Sequence, residues 1–307
     1  MGQKSNSNIL RLGINDNYWS SKYLGKTSEE STFYVFQDLE IRKYIDRFFH
    51  LHGLLVDKCF INRSEYALSI SISYFNLLHS LSEIEKVNNK LALDFLDKDT
   101  LSKKSENLSV LDRVEDIKKN YNRKAFKKKS FLLSKPFLHK LIGCLNVFLK
   151  NKLKIKLVIQ NVNKSLSVRL TNSDVVEFRK IVTQLRVYSK SSFFKETFNI
   201  LTVVIKNQAS SKLLSEYIAL KLSSMKRHNF FLTFLKRALT LLIGSNFSSI
   251  KGVKIKIKGR FNGVPRAKPR LIQIGEIPLQ MLNSKVSYHC STSFTSNGTF
   301  GVQLWIS

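Results

Sequence analysis

A run of strict alternation near the C-terminus constrains this chain more than any other feature. From Val253 to Lys258 the sequence is Val-Lys-Ile-Lys-Ile-Lys, with Gly252 before it and Gly259-Arg260-Phe261-Asn262-Gly263 after it. A β-strand sends successive side chains to opposite faces. Val253, Ile255 and Ile257 therefore share one face, and Lys254, Lys256 and Lys258 share the other. Three ammonium groups in a row repel one another. Such a ladder is stable only in water or against a polyanion.

The neighbouring residues supply the rest of a small domain. Phe230 to Ile243 carries Phe231, Leu235, Ala238 and Leu242 at spacings of three and four, which predicts a helix with Lys236 and Arg237 off the apolar stripe. Gly244 is placed to end it in the left-handed conformation. Three strands are expected at 271–277, 285–291 and 299–306. Ser296-Asn297-Gly298 joins the last two as a tight hairpin, since Asn-Gly supplies the positive φ angles of such a turn. The expectation is a basic helical segment followed by a small antiparallel sheet.

The charge balance extends this reading to the whole chain. Lys and Arg number 51 against 22 Asp and Glu, a formal net charge of +29 over 307 residues. Solubility is served by far less. The excess implies a polyanionic partner, and nucleic acid fits best.

The N-terminal half divides by pattern. Residues 1–37 have the composition of a polar arm, in which Gln3, Lys4 and Arg11 are candidates to hold phosphates. A helix is expected over 38–50 with Asp38 as its N-cap. Strands follow at 54–62 and 66–74; in the second, Leu68, Ile70 and Ile72 alternate with serines. Residues 76–130 form a polar insertion ending in Lys118, Lys119, Arg123, Lys124, Lys127, Lys128 and Lys129, with Tyr121 and Phe126 interleaved. Cations on phosphates and aromatics free to stack would make this an RNA-contacting arm; the alternative is a solvated basic run. A helix over 137–148 and a strand over 153–160 complete the first domain, 38–163. Residues 164–209 form a second insertion with a packing surface of its own, helical over 175–187 and strand-like over 198–205. The last domain, 210–307, opens with a helix over 211–225 leading to Lys226-Arg227-His228.

Catalytic and metal signatures are missing. There is no Walker loop, GxGxxG or GxSxG. Cys59, Cys144 and Cys290 lie far apart and make no zinc set. The histidines at 50, 52, 79, 139, 228 and 289 form no ligand run, and His228 is one more basic residue. No metal and no cofactor is expected. Nor does any apolar run reach bilayer length.

Particular residues also resemble a known family. Lys236-Arg237-Ala238, Gly252-Val253-Lys254-Ile255, Gly259-Arg260, Ile277-Pro278-Leu279, Thr299 to Gly301 and Val302 to Ile306 occur in the order found in the C-terminal domain of the universal small-subunit ribosomal protein S-three. The run Gly259 to Lys268 resembles the mitochondrial form. Gly2-Gln3-Lys4, Arg11-Leu12-Gly13-Ile14 and Trp19-Ser20 with Tyr23 resemble the family's opening. From this, Met1 is expected to be the true start, and the gene to reside in the organelle. Asp38 to Ile45 resembles the start of the family's RNA-binding KH domain. The expected fold is thus α+β: a degenerate KH-type (type II) domain with insertions, plus a C-terminal helix-and-antiparallel-sheet domain. The degeneracy is visible in the sequence. A KH domain grips single strands with a GxxG loop, and no glycine lies between Gly53 and Gly143.

The resemblance implies a non-enzymatic constituent of the mitochondrial small ribosomal subunit. It would bind small-subunit rRNA in the head and help to form the channel by which mRNA enters. Its implied neighbours are ribosomal proteins S-ten and S-fourteen. The expected RNA contacts are Gln3, Lys4, Arg11, Lys226, Arg227, Lys236, Arg237, Lys254, Lys256, Lys258, Arg260, Arg266, Lys268 and Arg270. Lys236 matches a family residue that assists mRNA unwinding, whereas Leu232 and Thr233 stand where the family usually shows two arginines. The alternative is an organellar RNA-processing or translation-regulating factor outside the ribosome.

Overall fold

A computed structural model describes residues 5–14, 19–77, 135–162, 172–207, 211–245 and 248–307. In chain order its elements are α1 (Ser7–Leu10), β1 (Ser21–Lys22), α2 (Ser28–Leu51), β2 (Leu54–Arg63), β3 (Ala67–Asn76), α3 (Lys135–Phe148) and β4 (Lys154–Asn161). Then come α4 (Asn172–Gln184), α5 (Phe194–Asn207), α6 (Ser211–Ser224), α7 (His228–Ile243), β5 (Gly252–Gly259), β6 (Lys268–Gly275), β7 (Ser287–Thr295) and β8 (Gly298–Ile306). The strands form two four-stranded sheets.

The first sheet has the order β1-β2-β3-β4. Its central pair β2/β3 is antiparallel, and β1/β2 and β3/β4 are parallel. The alternation in β3 determines what packs on it. Leu68, Ile70, Ile72 and Tyr74 are buried and share a core with Ile41, Ile45 and Phe49 of α2 and Phe137, Leu141 and Leu145 of α3. The serines between them point to the other face.

Helix α2 begins ten residues before the expected position, which moves 28–37 out of the arm. Thr27 is the cap: its Oγ1 accepts the Glu30 amide at 3.3 Å, and Glu30 Oε2 accepts the Lys26 amide at 2.9 Å. This is close to a capping box. Asp38 caps nothing. It lies inside the helix, buried, with its Oδ1 3.0 Å from the guanidinium of buried Arg63 on β2. A carboxylate at that position serves tertiary pairing rather than helix initiation. Strand β3 also runs to Asn76, past the expected start of the insertion. The remainder of that insertion, including Lys118, Lys119, Arg123, Lys124, Lys127, Lys128 and Lys129, lies outside the described residues.

The second sheet is wholly antiparallel, in the order β6-β5-β8-β7. Its inner face carries Val253, Ile255, Ile257, Ile272, Phe300, Val302, Leu304 and Ile306, all buried in one core with α6 and α7. Phe300 closes over Gly259, where a Cβ would overlap its ring. At the hairpin, Thr295 pairs with Gly298. The positive φ falls on Gly298 (119°), not on Asn297. Helix α7 ends at Gly244 with φ −72°, so its stop is not left-handed.

Residues 198–205 are not a strand. They lie in helix α5, with Ile200, Leu201, Val204 and Ile205 buried. A short apolar run has no period that separates a strand from a buried helix, and tertiary burial decides. The helix expected over 175–187 is α4 followed by a 3-10 turn at Arg186–Tyr188. Nor does this region keep a packing surface of its own. Its Phe193 ring lies 5.4 Å from Phe231 and 5.3 Å from Phe234 of α7, and the Tyr188 ring 5.1 Å from Phe234. These helices thus line the core of the second sheet.

Helix α6 joins the two sheets. Lys212 Nζ is 2.9 Å from Asp46 Oδ1 on α2. On its other side, Ser215 Oγ lies 2.7 Å from His289 Nδ1, and its carbonyl accepts Ser291 Oγ at 2.8 Å, both from β7.

Candidate nucleic-acid interface

Among the described residues, helices cover one face of the second sheet and not the other. The registers give the side chains on the other. Lys254 lies between Gln273 and Trp305, Lys256 between Leu271 and Gln303, and Lys258 between Pro269 and Gly301. Across β8, Trp305 faces Tyr288 and Gln303 faces Cys290 on β7. The lysine ladder therefore runs down the middle of an open face. The Trp305 and Tyr288 rings lie 5.1 Å apart at 37°, and Lys254 Nζ is 5.9 Å from the centre of the indole, so the first lysine is held by a cation–π contact. Glu216 and Glu276 are the only acidic residues from 211 to the end, and Glu276 falls just beyond β6. The lysines have no acidic neighbour on the sheet, so their charge is available to a polyanion.

The basic rim continues from this face. Arg266, Lys268 and Arg270 are exposed. The Arg270 guanidinium stacks 4.7 Å from the Phe261 ring centre, and Arg260 Nε donates to the Val264 carbonyl at 3.0 Å. Lys226 and Arg227 precede α7, and Lys236 and Arg237 lie on it; all four are exposed. Leu232 is buried and Thr233 bonds its own helix backbone at Asn229.

One expected contact, Arg11, and one expected basic surface residue, His228, are placed elsewhere. Arg11 is buried, 1% exposed, and its donors are committed to carbonyls. Nε bonds Ser284 O at 3.1 Å, Nη1 bonds Ser7 O at 3.1 Å, and Nη2 reaches Leu279 O at 3.0 Å and Met281 O at 2.9 Å. Arg11 fastens the N-terminal strap to the β6–β7 connection instead of holding a phosphate. Asn8 reinforces it, donating from Nδ2 to Tyr288 O (2.6 Å) and accepting the Tyr288 amide (2.8 Å) at the edge strand β7. His228 is also buried rather than part of the basic surface. Its Nδ1 accepts the Asn262 amide at 3.4 Å, and its Nε2 is 3.2 Å from Leu222 O, which pins the Phe261–Gly263 turn to α6. Gln3 and Lys4 lie outside the described residues.

Sequence reasoning placed Trp305 and Tyr288 in strands but not in the site. The signal was their position on the lysine face, which only the cross-strand register reveals. It also missed the cleft between the two sheets. There burial pushes the Glu216 carboxyl up to about 7 against the pull of Lys212. Burial, helped by Lys212, pushes His289 down to about 4. Neither group faces the lysine ladder. Among the described residues no cluster of His, Cys, Asp or Glu could hold a metal ion, and no helix is long and apolar enough to cross a membrane. Asp94, Asp97 and Asp99, the nearest approach to clustered acids in the insertions, lie outside the described residues.

Comparison with known proteins covers the same part of the chain. Residues 225–306 match the family described as ribosomal protein S3, C-terminal domain. That span starts just before α7 and holds the whole second sheet, lysine ladder included. This part of the chain is similar to the C-terminal domain of ribosomal protein S3. Small ribosomal subunit protein uS3c of Chara vulgaris is 38% identical over 106 residues, 34% of this chain and 46% of that protein. Small ribosomal subunit protein uS3 of Baumannia cicadellinicola subsp. Homalodisca coagulata is 27% identical over 154 residues, 50% of this chain and 60% of that protein. For uS3 of Endomicrobium trichonymphae the figures are 27% over 170 residues, 53% and 71%. The chain spans about half the length of the first of these relatives. The ribosomal protein S3 family is structural and not enzymatic.

Proposed function

We propose that this chain is a structural constituent of the small subunit of a mitochondrial ribosome, bound to small-subunit rRNA in the head. The observation that carries the reading is the acid-free lysine ladder on the open sheet of an S3 C-terminal domain. Phosphate contacts from Lys254, Lys256 and Lys258, with Arg260, Arg266, Lys268 and Arg270 at the rim, supply affinity and position with little sequence readout. Lys226, Arg227, Lys236 and Arg237 extend the surface toward the channel by which mRNA enters, and S-ten and S-fourteen are the neighbouring head proteins. Gln3, Lys4 and the basic run 118–129 add contacts of the same kind. The mitochondrial assignment rests on the run Gly259 to Lys268, since the matched relatives are chloroplast and bacterial forms.

The first sheet is, on this reading, a degenerate KH-type unit. Helix, two strands, helix and strand follow in the implied order through α2, β2, β3, α3 and β4. Without a GxxG loop it serves docking rather than capture of single strands. Salt dependence tests the lysine ladder. Binding of the full chain to a small-subunit rRNA fragment should weaken linearly on a log–log salt plot. The triple variant Lys254→Gln/Lys256→Gln/Lys258→Gln should make that slope shallower by about 2 to 3. An unchanged slope would remove the ladder from the interface.

A further inference from the structure

The lysine ladder is only part of the open sheet face. Beside it lies an aromatic pair, and phosphate binding does not use an aromatic ring. Trp305 and Tyr288 sit side by side on neighbouring strands, partly exposed, at the end of the ladder where Lys254 leans over the indole. Gln303 lies two residues from Trp305 on β8, and Gln273 lies on the far side of Lys254 on β6, each with amide donors and acceptors on the same face. A cross-strand aromatic pair that only stabilised the sheet would need no cation beside it.

We propose that this face is a stacking platform for unpaired RNA: the Trp305 indole, backed by Tyr288, carries a base, while Lys254 and Lys256 hold the phosphates beside it. The proposal rests on the reading of the ladder as an RNA surface and adds the chemistry that surface selects. A duplex hides its base faces and offers only phosphates. A single strand offers both, and stacking accepts any base because every base has a π-face. The platform therefore prefers single-stranded RNA to duplex without reading its sequence. Electrostatics favour RNA over a protein segment here, because the four strands carry no acidic residue and, among the described residues, no carboxylate pairs with the three lysines.

The test uses the full chain carrying Trp19→Phe, which leaves Trp305 as the only tryptophan; Trp19 is 67% exposed. A short single-stranded oligoribonucleotide should quench Trp305 emission, and a duplex of equal charge should not. An abasic oligomer with the same phosphates should bind about 5- to 150-fold more weakly, with the same salt slope. Tyr288→Leu and Trp305→Leu should each weaken single-strand binding and leave the salt slope unaltered. The abasic comparison needs no substitution, so a variant that fails to fold does not decide the matter. Equal affinity for the abasic and the normal oligomer, with no quenching and an intact salt slope, would overturn the platform and keep the ladder. No binding to any RNA would overturn both.

Discussion

Arg11 shows how little a single residue's type says about its task. In the sequence it belongs to a polar, basic arm; in the fold it is 1% exposed and bonded to backbone carbonyls around the β6–β7 connection. Arg11→Met should cost about 1–3 kcal/mol, because those carbonyls lose their donors in a buried site. RNA affinity should be unaffected. Urea unfolding and rRNA-fragment binding check the two halves; lost affinity with unchanged stability would return Arg11 to the interface. Asp38 makes the same point from the acidic side. Removing its carboxylate in Asp38→Ala strands the Arg63 guanidinium in the core, which should cost about 3–5 kcal/mol in the same assay. Neither role was legible, since a buried ion pair or a carbonyl cage has no spacing in sequence. The lysine ladder was legible because its period of two is local.

At the scale of elements, period was a reliable guide where it ran through a whole segment and misleading where the stretch read was too short. Strands β3 and β5 alternate, and both stand where the alternation put them. Helix α5 has a helical period as well, with Lys195 and Asn199 exposed four residues apart and Ile200, Leu201 and Val204 buried, but the stretch 198–205 spans barely two turns of it. The register of β8 against β5 and β7, which assembles Lys254, Trp305 and Tyr288, is a property of the sheet and not of any strand. Helix α6 carries a consequence for pH. Glu216 holds its proton up to about 7 instead of the usual 4.5, so its contribution to stability is full below 4.5 and fades as pH rises through 7. His289 titrates near 4 instead of 6.5, so its contribution is full above 6.5 and is lost as pH falls through 4. Between pH 5 and 6.5 the folded chain holds one proton the unfolded chain lacks and lacks one it holds. The two effects oppose, and stability should be nearly flat there. Glu216→Gln removes one side of this balance. Its stability should then rise with pH over that window, by up to about 1 kcal/mol per unit. Urea midpoints at pH 5, 6 and 7 measure it; a variant as flat as the parent would contradict the assignment.

For the whole molecule, the N-terminal strap and α6 bind the two sheets into one body. Asn8 and Arg11 dock on the second sheet's edge and its β6–β7 connection, and the chain enters the first sheet at β1, ten residues after Arg11. Lys212 pairs with Asp46 across the gap. The charge completes the picture, because +29 on 307 residues is a surplus that an isolated protein does not need and a polyanion would neutralise. The central claim is that this chain works as part of a small ribosomal subunit. Sucrose-gradient sedimentation of a mitochondrial lysate, with the chain followed by mass spectrometry before and after RNase, tests it most directly. The account predicts that the chain travels with small subunits and leaves that position once RNase has acted. A low-mass peak indifferent to RNase would contradict it.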